Sequence, residues 1–263
     1  ILRVLLALLL LVLLAAAGFG VLYAGRLRTV NSIEKITDYS DYNLYRMDVR
    51  YDYSIDDVIN YGITDNQSMI DAILKETLPL LPIHMKAPQF GCSAFATVQD
   101  RHIVMGRNYD FKRDTSAMLV YCTPKNGYKS VALAALDNIS ANQPDVSMAK
   151  KLACLTAPFI CLDGMNEKGV SIAVLTLDSE PVNQDTGKQK IFTTLAIRLV
   201  LDRAATTQEA VDLLDSYDMF ATSGRDYHFF VTDAAGDARV IEYDPEQEGR
   251  PLRWTAMLSL IHI

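Results

Sequence analysis

From Val4 to Gly25 the chain runs 22 residues without a charge, most of them Leu, Ala or Val. That is about the ~20 residues a helix needs to cross ~30 Å of hydrocarbon, so residues 1–25 are expected to form a transmembrane anchor. A secretory signal peptide is the rival, with Arg3 as its charged start and Ala15, Ala16 and Ala17 as a small-residue cleavage site. The apolar run continues through Phe19, Val21, Leu22 and Tyr23, which favours the anchor. Either reading puts the rest of the chain outside the cytoplasm. Arg3 precedes the segment while Arg26 and Arg28 follow it, so the positive-inside rule has little to act on.

Beyond the apolar segment the pattern changes twice. Residues 31–90 read as mixed and mostly helical, with amphipathic stretches at 55–59 and 66–78, the second carrying Met69, Ile70, Ile73 and Leu74 at helical spacing. Pro79, Pro82 and Pro88 then break the pattern and make an exposed connector into Gly91. After Gly91, short β-rich runs at 92–99, 102–109, 117–123, 128–135, 158–162, 169–177, 227–233 and 237–243 are separated by turn signals. Helices are expected at 191–203 and 207–217, the second opened by Thr206 with Glu209 three residues on, a capping box. Hairpins flanking a helical pair predict an α+β layered domain. Trp254 and the acidic stretch from Asp244 to Glu248 read as loop.

Half of the 263 residues are hydrophobic and 22% are charged, so a sizeable core is within reach and disorder is excluded. The formal charge is −7, and because the first thirty residues hold only three charges, all Arg, the rest carries −10. Nucleic acid is therefore not an expected partner, since phosphate binding needs a basic face. The four cysteines, Cys92, Cys122, Cys154 and Cys161, include no C-x-x-C pair, and His84, His102 and His228 are scattered singly. Neither a metal nor any other cofactor is expected. In an oxidising compartment Cys154 and Cys161 are a candidate disulfide.

Cys92 follows Gly91, begins a strand, and is joined through Asp100-Arg101 to the run Gly106-Arg107-Asn108-Tyr109-Asp110. A tight hairpin there pairs positions summing to 201, so that Cys92 faces Tyr109 and Ala94 faces Arg107. Arg107 then lies diagonal to Cys92, where a guanidinium favours the thiolate or holds a substrate carboxylate or carbonyl. By strict alternation Asp110 points the other way, and it reaches Cys92 only if the strand ends or bulges near Tyr109. A small buried cysteine beside a surface Arg–Asp pair is the alternative.

Gly91-Cys92-Ser93-Ala94-Phe95 followed by Gly106-Arg107-Asn108-Tyr109-Asp110-Phe111 resembles the nucleophile segment of the choloylglycine hydrolase family of N-terminal nucleophile hydrolases. A second block, Asp163-Gly164-Met165-Asn166-Glu167-Lys168-Gly169, is similar to that family's D-G-M-N-E-K-G segment, and Tyr227 to Asp233 through Val240-Ile241-Glu242 matches its later hairpin more loosely. The resemblance covers about residues 92 to 245. It implies a four-layer αββα sandwich over 92–257 whose nucleophile, Cys92, becomes the first residue of the mature chain. Residues 26–91 would then be a propeptide or an attached small subunit, released or freed by cutting Gly91–Cys92. It further implies that Asp110 orients the new amine, that Arg107 stabilises charge near the thiolate, and that an oxyanion donor sits where this chain has Thr176 and the family an asparagine. Asn166 and Lys168 are expected to be structural.

The expected function is a membrane-anchored, extracytoplasmic cysteine amidase acting on linear amides: N-acyl amino acids, conjugated bile salts, penicillin V-like side chains or acyl-homoserine lactones. Its partners are a small-molecule amide and the membrane. An acyltransferase of the same family and a binding module that kept the fold without catalysis are the alternatives, Thr176 and an uncut leader favouring the latter. The chain begins at Ile1 and its last residues, 258–263, resemble an in-frame translation of a sequencing adapter, so the domain is expected to be truncated. The family's second oxyanion asparagine and a late arginine would lie beyond.

Overall fold

The computed structural model describes residues 2–40, 42–83, 85, 93–99, 102–108, 115–221 and 224–256, with backbone alone for 93–99, 102–104, 107 and 108. The first helix, α1 (Leu2–Asn31), is uninterrupted and continues past the apolar run. Only its final turns are buried, at Tyr23, Arg26, Thr29 and Val30. Arg26 explains that docking: its guanidinium donates to Thr77 O at 2.6 Å, Glu76 O at 2.7 Å and Leu22 O at 2.8 Å. Gly25 makes the approach possible, because a Cβ there would stand 2.5 Å from Arg50 O.

A nine-stranded mixed sheet forms the frame, in the order β1 (Glu34–Lys35), β2 (Leu44–Asp48), β5 (Ala117–Cys122), β6 (Ser130–Ala135), β7 (Cys161–Asn166), β8 (Ser171–Leu177), β11 (Asp226–Thr232), β12 (Ala238–Tyr243) and β13 (Leu252–Ala256). Only the β2–β5 pair is parallel in it. One face carries α2 (Ile55–Ile59), α3 (Asn66–Thr77), α5 (Thr193–Arg203) and α6 (Thr207–Asp215), whose buried side chains join one core with those of the sheet. Against the other face lies the hairpin β3 (Ser93–Gln99) and β4 (His102–Asn108). Two short strands, β9 (Lys190–Phe192) and β10 (Asp218–Phe220), pair in parallel beside α5, and a six-residue helix, α4 (Met148–Ala153), completes the elements.

Local signals account for most of these elements. Asp65 caps α3 by accepting from Ser68 N at 2.7 Å, while Ser68 Oγ accepts from Asp65 N, and Met69, Ile70, Ile73 and Leu74 are buried at the predicted spacing. Thr206 accepts from Glu209 N at 3.1 Å, but the Glu209 carboxylate takes Ala205 N rather than closing the box on Thr206. All seven residues of β11 are buried, as expected of a central strand covered on both faces.

Four expectations need correction. Residues 34–48 are not helical: β2 buries Tyr45 and Met47 and exposes Arg46, a period-two pattern set by pairing with β5 some seventy residues away. The strand expected at 158–162 begins at Cys161, because residues 154–159 form a 3-10 turn around Pro158. Trp254 lies in β13 at the sheet edge, with the Arg239 guanidinium 4.1 Å over its ring. Cys154 and Cys161 are unbonded buried thiols, the latter donating to Ala157 O at 3.1 Å.

Candidate active site

β3 and β4 pair in the register read from the sequence, from Ser93 opposite Asn108, through Ala94 opposite Arg107, to Gln99 opposite His102. Cys92 and Asp110 lie outside the described residues, and Arg107 is described by its backbone only. The hairpin packs on β8, β11 and β12: Met105 sits against a cluster of Ala173, Leu175, Phe230 and Val240. Ile172 and Val174, alternating with these, join the helix-side core. Thr176, opposite Tyr227, continues the helix-side series.

At the end of β8 a cleft of about 360 Å³ is lined by Thr176, Leu177, Asp178, Ser179, Gly224 and Arg225. Thr176 Oγ1 is buried there without a hydrogen-bond partner among the described residues. Such a hydroxyl forfeits about 1–3 kcal/mol of desolvation. The cleft wall is fixed by buried Asp226, whose carboxylate accepts from Ser179 Oγ at 2.7 Å, Val182 N at 3.2 Å and Arg250 Nη2 at 2.7 Å. No sequence signal pointed to this residue, since its partners are 24 to 47 positions away.

The D-G-M-N-E-K-G block is structural. A Cβ on Gly164 would meet Leu201 Cδ1 and Val131 O at 2.8 Å, so the glycine lets α5 ride close on β7. Asn166 donates to Leu201 O at 3.1 Å and Ala204 O at 2.8 Å, and accepts from Lys168 N and Val170 N, tying the end of α5 to the β7–β8 turn. Gly169 completes that turn at a φ of +84°.

Burial pushes the described thiols up, Cys154 to about 12 with Cys122 and Cys161 also raised, so none of the three offers a thiolate near neutral pH. Among the described residues no group of three His, Cys, Asp or Glu is placed to hold a metal ion.

His228 stands on the hairpin-facing side of β11, its Nδ1 3.3 Å from Glu242 Oε1. Burial holds its pKa below the usual 6.5, against the pull of Glu242 and Asp226. Protonation therefore favours the unfolded chain. Stability is expected to be unaffected by His228 above about pH 6.5 and to fall below it, with a slope of at most about 1.4 kcal/mol per pH unit. Urea midpoints at falling pH check this: His228→Gln should flatten the loss, and an unchanged slope would refute it.

The chain belongs to the linear amide C-N hydrolases, choloylglycine hydrolase family, whose model matches residues 92–248. No curated protein matches it. Among solved structures it is similar to a penicillin V acylase from Agrobacterium tumefaciens, with a TM-score of 0.36 and 16% identity over 68% of this chain and 46% of that one. It is also similar to two variants of a conjugated bile acid hydrolase from Clostridium perfringens, with TM-scores of 0.44 and 0.45 and 17% identity over 65% of this chain and 53% of theirs. The chain thus spans about half the length of these structures.

Proposed function

We propose that this chain is the anchored part of a cysteine amidase whose nucleophile, Cys92, is freed by cutting the Gly91–Cys92 bond. The observation that carries the reading is the β3–β4 register, which in a chain of this family sets Ala94 opposite Arg107 and so supports a site shared by Cys92 and Arg107. A cysteine at a chain start supplies both a thiol and an α-amine, and the amine, with a pKa near ~7.7–8.0, is a fit proton acceptor at neutral pH. The Cys92 sulfur attacks the amide carbonyl carbon as its proton passes to the amine. The C–N bond breaks, the departing amine takes that proton, and water then cleaves the thioester to the free acid. Asp110 orients the amine and Arg107 stabilises the thiolate. Thr176 stands at the oxyanion position, and because its hydroxyl shares the helix-side face with Ile172 and Val174, its backbone N–H is assigned as the donor. The substrates are N-acyl amino acids, conjugated bile salts or penicillin V-like amides, met outside the cytoplasm, in the αββα sandwich that the hairpin layer begins.

The segment before the cut is better suited to an attached small subunit than to a discarded propeptide. β2 is a paired strand of the main sheet, Tyr51 Oη donates to Leu155 O at 2.5 Å, and Tyr53 Oη donates to Asp202 Oδ1 at 3.1 Å. Intact mass of the full-length protein should show a new chain beginning at Cys92. Both pieces should remain together through membrane washing and native chromatography and separate only on unfolding. One uncut species, with Cys92 unreactive towards a thiol probe, would refute the amidase reading and leave the binding module.

A further inference from the structure

A cationic cleft lies where α1 leaves its apolar stretch. A cleft of about 610 Å³ is walled by Val21, Leu22 and Arg28 of the helix and by Arg50, Tyr51 and Asp52 of the segment after β2. The Arg28 guanidinium has neither a hydrogen bond nor an ion pair among the described residues. Arg50 shares one carboxylate, Asp48, with Arg46, at 3.3 Å and 3.1 Å. Asp52 is the one acid in the lining, so the cleft is cationic.

Its depth relative to a bilayer follows from the helix. The uncharged run from Val4 to Gly25 rises about 33 Å at ~1.5 Å per residue, enough for a ~30 Å hydrocarbon core. Arg28 follows about 4.5 Å further along, within the polar layer. Arg50 is held at the same level, because its N–H donates to Thr29 Oγ1 at 2.7 Å. Val21, 80% exposed, lies about two turns deeper, at acyl-chain depth. The close Gly25–Arg50 packing and the Arg26 fork fix both walls, so the cleft is formed before anything enters it.

We propose that this cleft binds an anionic phospholipid, its phosphate between Arg28 and Arg50 and its acyl chains along Val21 and Leu22. The proposal rests on the anchor reading of α1. A bound lipid would hold the domain at one fixed height and rotation on the membrane surface.

The full-length protein is reconstituted into phosphatidylcholine vesicles containing about one-tenth phosphatidylglycerol, re-extracted in detergent, and its retained lipid counted by native mass spectrometry. Phosphatidylglycerol is expected to be enriched about tenfold over its share. Arg28→Gln with Arg50→Gln should return retention to that share, and Asp52→Asn should raise it. Arg3→Gln, at the opposite end of α1, should leave the enrichment intact. Retention matching the vesicle composition, enrichment that survives the double variant, or displacement by millimolar glycerol phosphate would each overturn the lipid site. Release of the protein by an alkaline carbonate wash would overturn the anchor reading itself, whereas carbonate-resistant protein without enrichment overturns the lipid site alone.

Discussion

Cys92→Ala is expected to lower amide turnover by at least about 10³-fold and to leave the chain uncut at Gly91. The magnitude follows from the absence of a substitute. The three other cysteines are buried with raised pKa values, and the amine that would serve as base exists only after the cut. Cys92→Ser separates the two roles, because a hydroxyl can still attack the preceding carbonyl while being a poorer nucleophile towards substrate. It should be cut slowly and turn over little. Assays on a panel of N-acyl substrates, read beside intact mass, decide the matter: undiminished turnover by the alanine variant, or turnover by wild-type protein still joined at Gly91, would sink the mechanism.

Asp202→Ala is expected to destabilise the fold by about 3–5 kcal/mol, a large share of what a domain has. Arg198 is fully buried, its Nη2 2.7 Å from Asp202 Oδ1 and 2.6 Å from Ser130 Oγ. Burial works against the guanidinium charge, but the groups around it, the Asp202 carboxylate first among them, together outweigh burial and keep Arg198 protonated. Removing the carboxylate strands that charge in the core and also takes away the acceptor of the Tyr53 Oη hydrogen bond. Arg198→Met combined with Asp202→Leu should recover much of the loss, since no charge is then left unpaired. Urea unfolding of the single and double variants checks both statements, and a single variant within about 1 kcal/mol of wild type would contradict them. Tyr53 belongs to the segment before Gly91, so the single variant should also loosen that segment from the hydrolase domain.

The Arg198–Asp202 pair has the i,i+4 spacing of any exposed helical ion pair, and nothing local distinguishes it from one. It is buried only because α5 lies between the sheet and the helices of the preceding segment, with ten of its eleven residues covered. Thr176 differs in the same way. Its place in a motif was legible, but its face was not, because that depends on which side of β8 the hairpin packs against. β2 escaped notice because five residues of alternation are too few to outweigh their helical neighbours until β5 supplies a partner.

What lies close together along the chain was decided by the chain itself: the long apolar helix, the β3–β4 register, the α3 cap, and the turn held by Asn166 and Gly169. These rest on periodicity, capping and backbone preference, which act over a few residues. The integration of residues 44–77 into one core, the charge buried at Arg198, the wall made by Asp226 and the cationic cleft beside α1 came only with the tertiary structure. Each joins groups 20 or more positions apart, and their energies exist only once packing has excluded water between them.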